Sequence, residues 1–331
     1  MKVDIVVPWV NGSDDIWRDK YNYYLKKESD GEKFVGSEGF RSSIELLDIW
    51  LLGIKKYAHW VNNIFILVDR NNWRQTDKEY DENVVFVYHD EFIPNDMLPT
   101  FNSNVIECFV GNIPEISEHF ILFNDDCYIV NDTSVDDFFS KSGLPVDSDA
   151  IYPVMTTDSY GHILLNNIIH INNRYDFKKY RNGYFKRHWK RAYSPRVMRS
   201  LLINELFSNF IGWQDEHLPV AYRKTDFENT FKKYKEAREG ILKHKFRSIE
   251  DVSHLLARYY RLVENKYEFR PINSLGTFIE IEPSDEQLVL KDLLEKAKYK
   301  IICVNDRKMS EDVAITAYKA LESLLGAYFT R

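Results

Sequence analysis

Asn124, Asp125 and Asp126 stand directly behind a short apolar run, FILF at 120–123. Aromatic and β-branched residues bounded by polar ones read as a buried strand. In open α/β sheets, ligands bind outside the carboxyl ends of the strands. Two adjacent carboxylates there suit a hard divalent cation on a phosphate-bearing substrate. The same tripeptide also suits a plain turn, because Asn and Asp hydrogen-bond their own backbone. A second apolar run, KIICV at 300–304, also ends in Asn-Asp, at Asn305 and Asp306. If the two runs are neighbouring strands, those residues could complete one cation site.

Other reactive side chains sit at similar junctions. Residues 2–7 form a β-rich run that ends at Pro8, and Trp9, Asn11 and Gly12 follow in a glycine-bearing turn. Such a turn enters many nucleotide-binding α/β units, and is equally a plain strand-to-helix joint. Asp69 closes a second apolar run, NIFILVD at 63–69, and His89 follows a third, VVFVY. His217 lies in WQDEHLPVAY at 213–222, which reads as a loop, just ahead of Leu218 and Pro219. Arg247 precedes Ser248 and Asp251, which read as the cap of a helix running to residue 262.

The elements that must position these groups alternate along the chain. Helical patterns cover 15–27, 44–57, 195–210, 227–239, 284–298 and 310–328, with Ser42 or Ser43, Ser284 and Ser310 at their openings. Asn104 and Glu107 have the spacing of a capping box for a short helix to residue 110. Residues 28–39 read as a polar loop, and 150–154 and 275–280 as further strands. Helices alternating with continuous apolar strands predict a mostly parallel sheet. Three regions follow: an α/β core at 1–150, a mainly helical lobe at 151–270, and a strand and helices at 271–331 that return to the core's sheet.

Composition narrows the function classes. The 331 residues are 44% hydrophobic and 29% charged, which fits a globular chain and not a disordered one. The net charge of −7 argues against nucleic acid as a partner. Cys108, Cys127 and Cys303 are too few for a disulfide scaffold and lie in or beside apolar runs, as buried free thiols do. The N-terminus lacks signal-peptide architecture and no 18 consecutive residues are apolar, so the expected location is cytoplasmic. One segment, 175–196, is dense in Lys, Arg and aromatics. It reads either as a platform for a polyanionic or lipid-linked partner at the inner membrane face, or as a solvated helical face with packing aromatics.

Several of these stretches together resemble the Stealth proteins. Residues 8–14, PWVNGSD, are similar to the first signature of that family. Residues 58–69, His89-Asp90, 98–107 and 113–126 resemble the second. His217-Leu218-Pro219 resembles the His-x-Pro of the third, and residues 301–306 resemble the fourth. Their order and spacing agree over nearly the whole chain. One stretch departs: residues 44–53 read IELLDIWLLG, without the arginines the family often carries there, and Arg41 is the nearest basic residue.

Stealth proteins are bacterial capsular or cell-wall polysaccharide phosphotransferases, similar to the animal enzyme that adds N-acetylglucosamine phosphate to lysosomal glycoproteins. The resemblance implies a Rossmann-like α/β fold of the nucleotide-sugar transferase type. It implies transfer of a sugar 1-phosphate from a UDP-sugar to a glycan hydroxyl, with Mg2+ or Mn2+ as cofactor and an oligosaccharide, expected to be lipid-linked, as acceptor. Asp125, Asp126, Asn305 and Asp306 would hold the metal. Trp9, Asn11, Gly12, Arg41, Asp69, His89, Asn104 and Asn124 would contact substrate. His217 is the candidate base, since imidazole exchanges a proton near neutrality, and Asp126 is the rival. Arg247 would meet phosphate with its planar fork of donors. An ordinary glycosyltransferase and a non-catalytic glycan-assembly component are the competing readings.

Overall fold

The computed structural model describes residues 1–330 except 13, 29–43, 71–78, 192–193, 282–285 and 307–310. Arg41, Ser42, Ser43, Ser284, Ser310 and most of the 28–39 loop therefore lie outside the described residues.

In chain order the elements are β1 Val3–Pro8, α1 Asp15–Glu28, α2 Ile44–Tyr57, β2 Ile64–Val68, β3 Val84–Tyr88, α3 His89–Phe92, α4 Ser103–Cys108, β4 His119–Leu122 and β5 Cys127–Ile129. Then come β6 Val146–Asp147, α5 Ser159–Asn172, α6 Phe177–His188, α7 Pro195–Leu206, β7 Val220–Arg223, α8 Lys224–Lys233, α9 Lys235–Ile241 and α10 Leu255–Val263. The chain closes with β8 Glu268–Phe269, β9 Gly276–Ile281, α11 Glu286–Lys296, β10 Ile301–Asp306 and α12 Glu311–Phe329.

The main sheet has the order β3-β2-β1-β4-β7. Its first four strands are parallel, with Ile5 of β1 in register with Ile64 of β2 and Ile121 of β4. β7 joins antiparallel, Leu122 opposite Val220. The order 3-2-1-4 is Rossmann-like, and the strand sequence reverses between β1 and β4. Trp9–Gly12 and Asn124–Asp126 follow the carboxyl ends of these two strands, where open α/β sheets bind their ligands.

Alternation along each strand splits the core in two. Val3, Ile5, Val7, Ile66 and Ile121 face a cluster with α2, α11, α12, β5 and β10. Val6, Phe65, Leu67, Phe120 and Leu122 face a second cluster with α4, α5, α6, α8 and α10. Apolar runs without polar alternation are explained by this two-sided burial.

β10 returns to the core, but by a different route from the expected one. It pairs antiparallel with β5, Cys303 opposite Cys127, and parallel with β9, in a separate three-stranded sheet. Because β5 begins right after Asp126, this pairing brings the two Asn-Asp segments to one place. α2 clamps β5: Trp50 donates to the Cys127 carbonyl (2.8 Å), and a Cβ at Gly53 would stand 2.8 Å from the Ile129 carbonyl. Only glycine permits that approach.

Other boundaries shift for local reasons. Residues 220–223, read as loop, are β7, because β4 supplies an edge. Residues 150–154 make a single bridge, Ile151 to Trp213, with no continuing ladder. The cap of α4 is Asn102, which accepts from the Asn104 backbone (3.0 Å). Ser248 and Asp251 form a turn, and α10 begins only at Leu255.

Candidate active site

The β4 end carries Asn124, Asp125 and Asp126, all half-buried. Val304 of β10 donates to the Asp126 carbonyl (2.8 Å), so Asn305 and Asp306 arrive beside the same end. The Asp306 side chain itself is not among the described ones. The Asp126 carboxylate accepts from the Cys127 thiol (3.5 Å). Among the described residues, Asp126, His217 and Cys303 offer ligand atoms within 4.8 Å of one another. The Cys127 hydrogen bond pulls the Cys303 thiol down, but burial and Asp126 push it up to about 11.

His217 reaches the site from the loop ahead of β7. Its backbone is left-handed, φ 53°, and its amide donates to Asp215 Oδ1 (3.2 Å). The ring stands between Tyr160 and Phe278, at centroid distances of 5.6 and 5.1 Å. Its Nδ1 lies 3.8 Å from Asp215. Asp215 also accepts a short hydrogen bond from the Tyr160 hydroxyl. Burial would raise Asp215, but His217, Arg258 and that hydroxyl outweigh it and hold the carboxyl below its usual range.

Arg247 comes from the turn ahead of α10. It is exposed, and its Nε donates to Ser103 Oγ (3.0 Å) at the start of α4. Glu107, one turn further along α4, is half-buried and feels the charges of both Arg247 and Asp125. Burial pushes its carboxyl up to about 7, against the pull of Arg247 and Ser103. Glu107 Oε2 lies 3.7 Å from His254 Nε2. His254 in turn shares a hydrogen bond with the Tyr222 hydroxyl (2.8 Å), and burial lowers its pKa to about 4.

The structure therefore brings Asp126, His217 and Cys303 together, with Asp215 and Tyr160 beside His217, while Asp125 and Arg247 both act on the charge of Glu107, next to His254. Glu107 was legible only as a cap. Asp215 had a signal, a carboxylate two residues from His217. Tyr160, His254 and Cys303 had none, because only tertiary packing brings them here.

The substrate-contact candidates divide. Asn11, Gly12 and Asn124 lie just beyond the carboxyl ends of β1 and β4, at the switch point. Trp9 has its ring buried against Trp50, so the core uses it. Asp69 is paired with Lys20 (2.9 Å). His89 is buried, neither ring nitrogen has a hydrogen-bond partner, and burial lowers its pKa to about 4. Asn104 donates to the buried Asp251 (3.1 Å), alongside Asn102 and the Ser248 amide. It thereby holds the turn that carries Arg247. A cavity of about 450 Å3 between α2 and the starts of β2 and β3 lies at the opposite ends of the strands from this chemistry.

The fold is an open α/β one with carboxylates behind the strand that adjoins its switch point. Residues 1–29 match the model of Stealth protein conserved region 1, and residues 40–147 that of conserved region 2. An exopolysaccharide phosphotransferase of Lactiplantibacillus plantarum is 32% identical over 93% of this chain and 88% of its own. A capsular polysaccharide phosphotransferase of Streptococcus pneumoniae is 31% identical over 92% and 89%. A receptor polysaccharide phosphotransferase of Streptococcus gordonii is 32% identical over 98% and 97%. The chain belongs to the Stealth family of polysaccharide phosphotransferases and is an enzyme of that class. The helix without family arginines, α2, spends Leu46, Leu47, Trp50 and Ile54 on the core.

Proposed function

We propose that this enzyme transfers a hexose or N-acetylhexosamine 1-phosphate from a UDP-sugar to a hydroxyl of a growing surface polysaccharide, and releases UMP. The observation that carries the reading is the meeting of the β4 and β10 ends beside His217. The names of the relatives support phosphotransfer to polysaccharide. Phosphoryl transfer asks mainly for positioning and charge neutralisation, which this arrangement supplies.

The acceptor is an oligosaccharide, lipid-linked in this reading. The donors that Asp125, Asp126, Asn305 and Asp306 carry are oxygens, the kind that suits a hard divalent cation such as Mg2+ or Mn2+. A thiol pushed up by burial fits such an ion poorly, so Cys303 is left out of the set. Bound there, the metal would neutralise charge on the diphosphate. His217 takes the proton of the attacking hydroxyl, and its left-handed backbone and Asp215 fix the ring's approach. Arg247, seated on Ser103 and backed by Glu107, faces the phosphate charge. The uridine side lies over Asn11 and Gly12.

The test is the identity of the released nucleotide. Attack at the sugar-bearing phosphorus splits the phosphoanhydride and leaves UMP, with a phosphodiester in the glycan and the anomeric bond intact. Attack at the anomeric carbon leaves UDP. Chromatography of the nucleotides with phosphorus NMR of the glycan distinguishes them. UDP as first product without a phosphodiester signal would establish an ordinary glycosyltransferase.

A further inference from the structure

The segment 174–207 carries ten Lys and Arg against two acids, Asp176 and Glu205, a net of +8 in a chain whose total is −7. It folds into α6 and α7, which pack against each other and are bridged by Arg181 and Glu205 (3.5 Å). Each helix buries one side, with Tyr180 and Tyr184 on α6 and Ser200 and Asn204 on α7. The outer side of α7 is apolar where solvated helices are polar, and the outer side of α6 sets Phe185 among lysines, with Trp189 in the turn behind it. Phe185 and Trp189 are four residues apart and exposed. Met198, Leu202 and Leu206 repeat at the same spacing along α7, with Leu206 79% exposed. Residues four apart share a helix face, so the three on α7 form a continuous stripe. Lys178, Lys179, Lys186 and Lys190 are exposed around them. Exposed Tyr152 and Met155 extend the surface, and Arg199 covers the Tyr152 ring (5.8 Å).

We propose that the α6–α7 surface seats the enzyme on an anionic lipid membrane. Large apolar and aromatic side chains ringed by lysines match the interface of a bilayer with anionic headgroups. A second copy of the chain is a poorer occupant: a two-fold contact through this face sets +8 against +8. Among the described residues no helix is long and apolar enough to cross a membrane, so the contact is peripheral. The surface is continuous with the catalytic loop. The Tyr152 and Val154 amides donate to the Gly212 and Ile211 carbonyls, just ahead of Asp215 and His217. A membrane-seated α6–α7 would thus hold that loop close to an acceptor anchored in the same bilayer.

The test uses the whole chain and sedimentation with vesicles, of phosphatidylcholine alone or with added phosphatidylglycerol. No sugar donor is present, so the result is independent of the transferase reading. The chain should pellet with the anionic vesicles only and be released by salt. Lys178→Glu and Lys186→Glu should each weaken partition by about fivefold or more. The pairs Phe185→Ser with Trp189→Ser and Leu202→Ser with Leu206→Ser should abolish pelleting while keeping wild-type melting and wild-type turnover of a soluble acceptor. The proposal fails if the wild type stays in the supernatant with anionic vesicles. It also fails if all variants pellet alike, or if the chain is a dimer that the Leu202 and Leu206 changes dissociate.

Discussion

The two faces of the main sheet are built from different materials. The face under α2, α11 and α12 is a hydrocarbon core, with Leu321, Leu325 and Phe329 of α12 in one buried cluster with Ile301 and Ile302 of β10. The face under the lobe helices buries charge. Arg258 forks onto Asp147 (3.0 Å from both Nε and Nη2), Arg261 joins the same carboxylate, and His188 and Tyr267 converge on Asp149. Burial alone would raise Asp147, but the two arginines hold it far below its usual range. Arg258 also donates to the carbonyls of Ser148 and Gln214, and Arg261 to that of Ala221 in β7. Hydrocarbon packing is tolerant of small rotations, whereas a forked ion pair fixes direction. The polar face thereby pins both ends of the loop that carries Asp215 and His217.

The largest effects should come from the groups this arrangement aims. His217→Ala should lower turnover by about 10^2 to 10^4-fold, the usual contribution of a general base, with little change in melting temperature. Arg247→Ala should behave alike. Wild-type turnover of His217→Ala across neutral pH would pass the role to Asp126. Asp125→Asn and Asp126→Asn should each cost about 10^2-fold or more. Chelation with EDTA should abolish activity and Mg2+ or Mn2+ restore it. Full turnover after thorough chelation would leave Arg and Lys as the neutralising groups.

A matched pair of variants probes the two faces directly. Arg258→Met removes one partner of a buried ion pair and should cost about 3 kcal/mol of stability. Leu325→Ala opens the hydrocarbon face and should cost about 2–5 kcal/mol. Their kinetics should part: the folded fraction of Leu325→Ala should keep its kcat, and that of Arg258→Met should lose most of it. Equal kcat values at matched temperature would show that the polar face does no more than hold the fold.

The smallest effect is a pH dependence. The Glu107 carboxyl is raised from 4.5 to about 7 in the folded chain. A raised acid favours the protonated fold, so its contribution to stability is complete below 4.5 and is lost as pH rises through about 7. Glu107→Gln removes that loss. The melting temperature of the variant should therefore gain on the wild type as pH rises through this window. A constant difference would mean that Glu107 is ionised throughout.

The sequence by itself determined the alternation of strands and helices, the mostly parallel character of the sheet, and that Asp125 and Asp126 stand behind a strand. Local periodicity marks buried strands, and polar residues at strand ends are visible without knowing which strands are neighbours. Only the tertiary structure decided that β10 pairs with β5 and not with the main sheet, since an apolar run carries no label for its partner. The same holds for β7, whose strand character depends on the free edge of β4. Asn104 illustrates the remaining gap. Its spacing to Glu107 suggested a cap, yet its amide serves Asp251 and Glu107 reaches His254. Side-chain roles of this kind depend on residues more than a hundred positions away, whose approach no local pattern encodes.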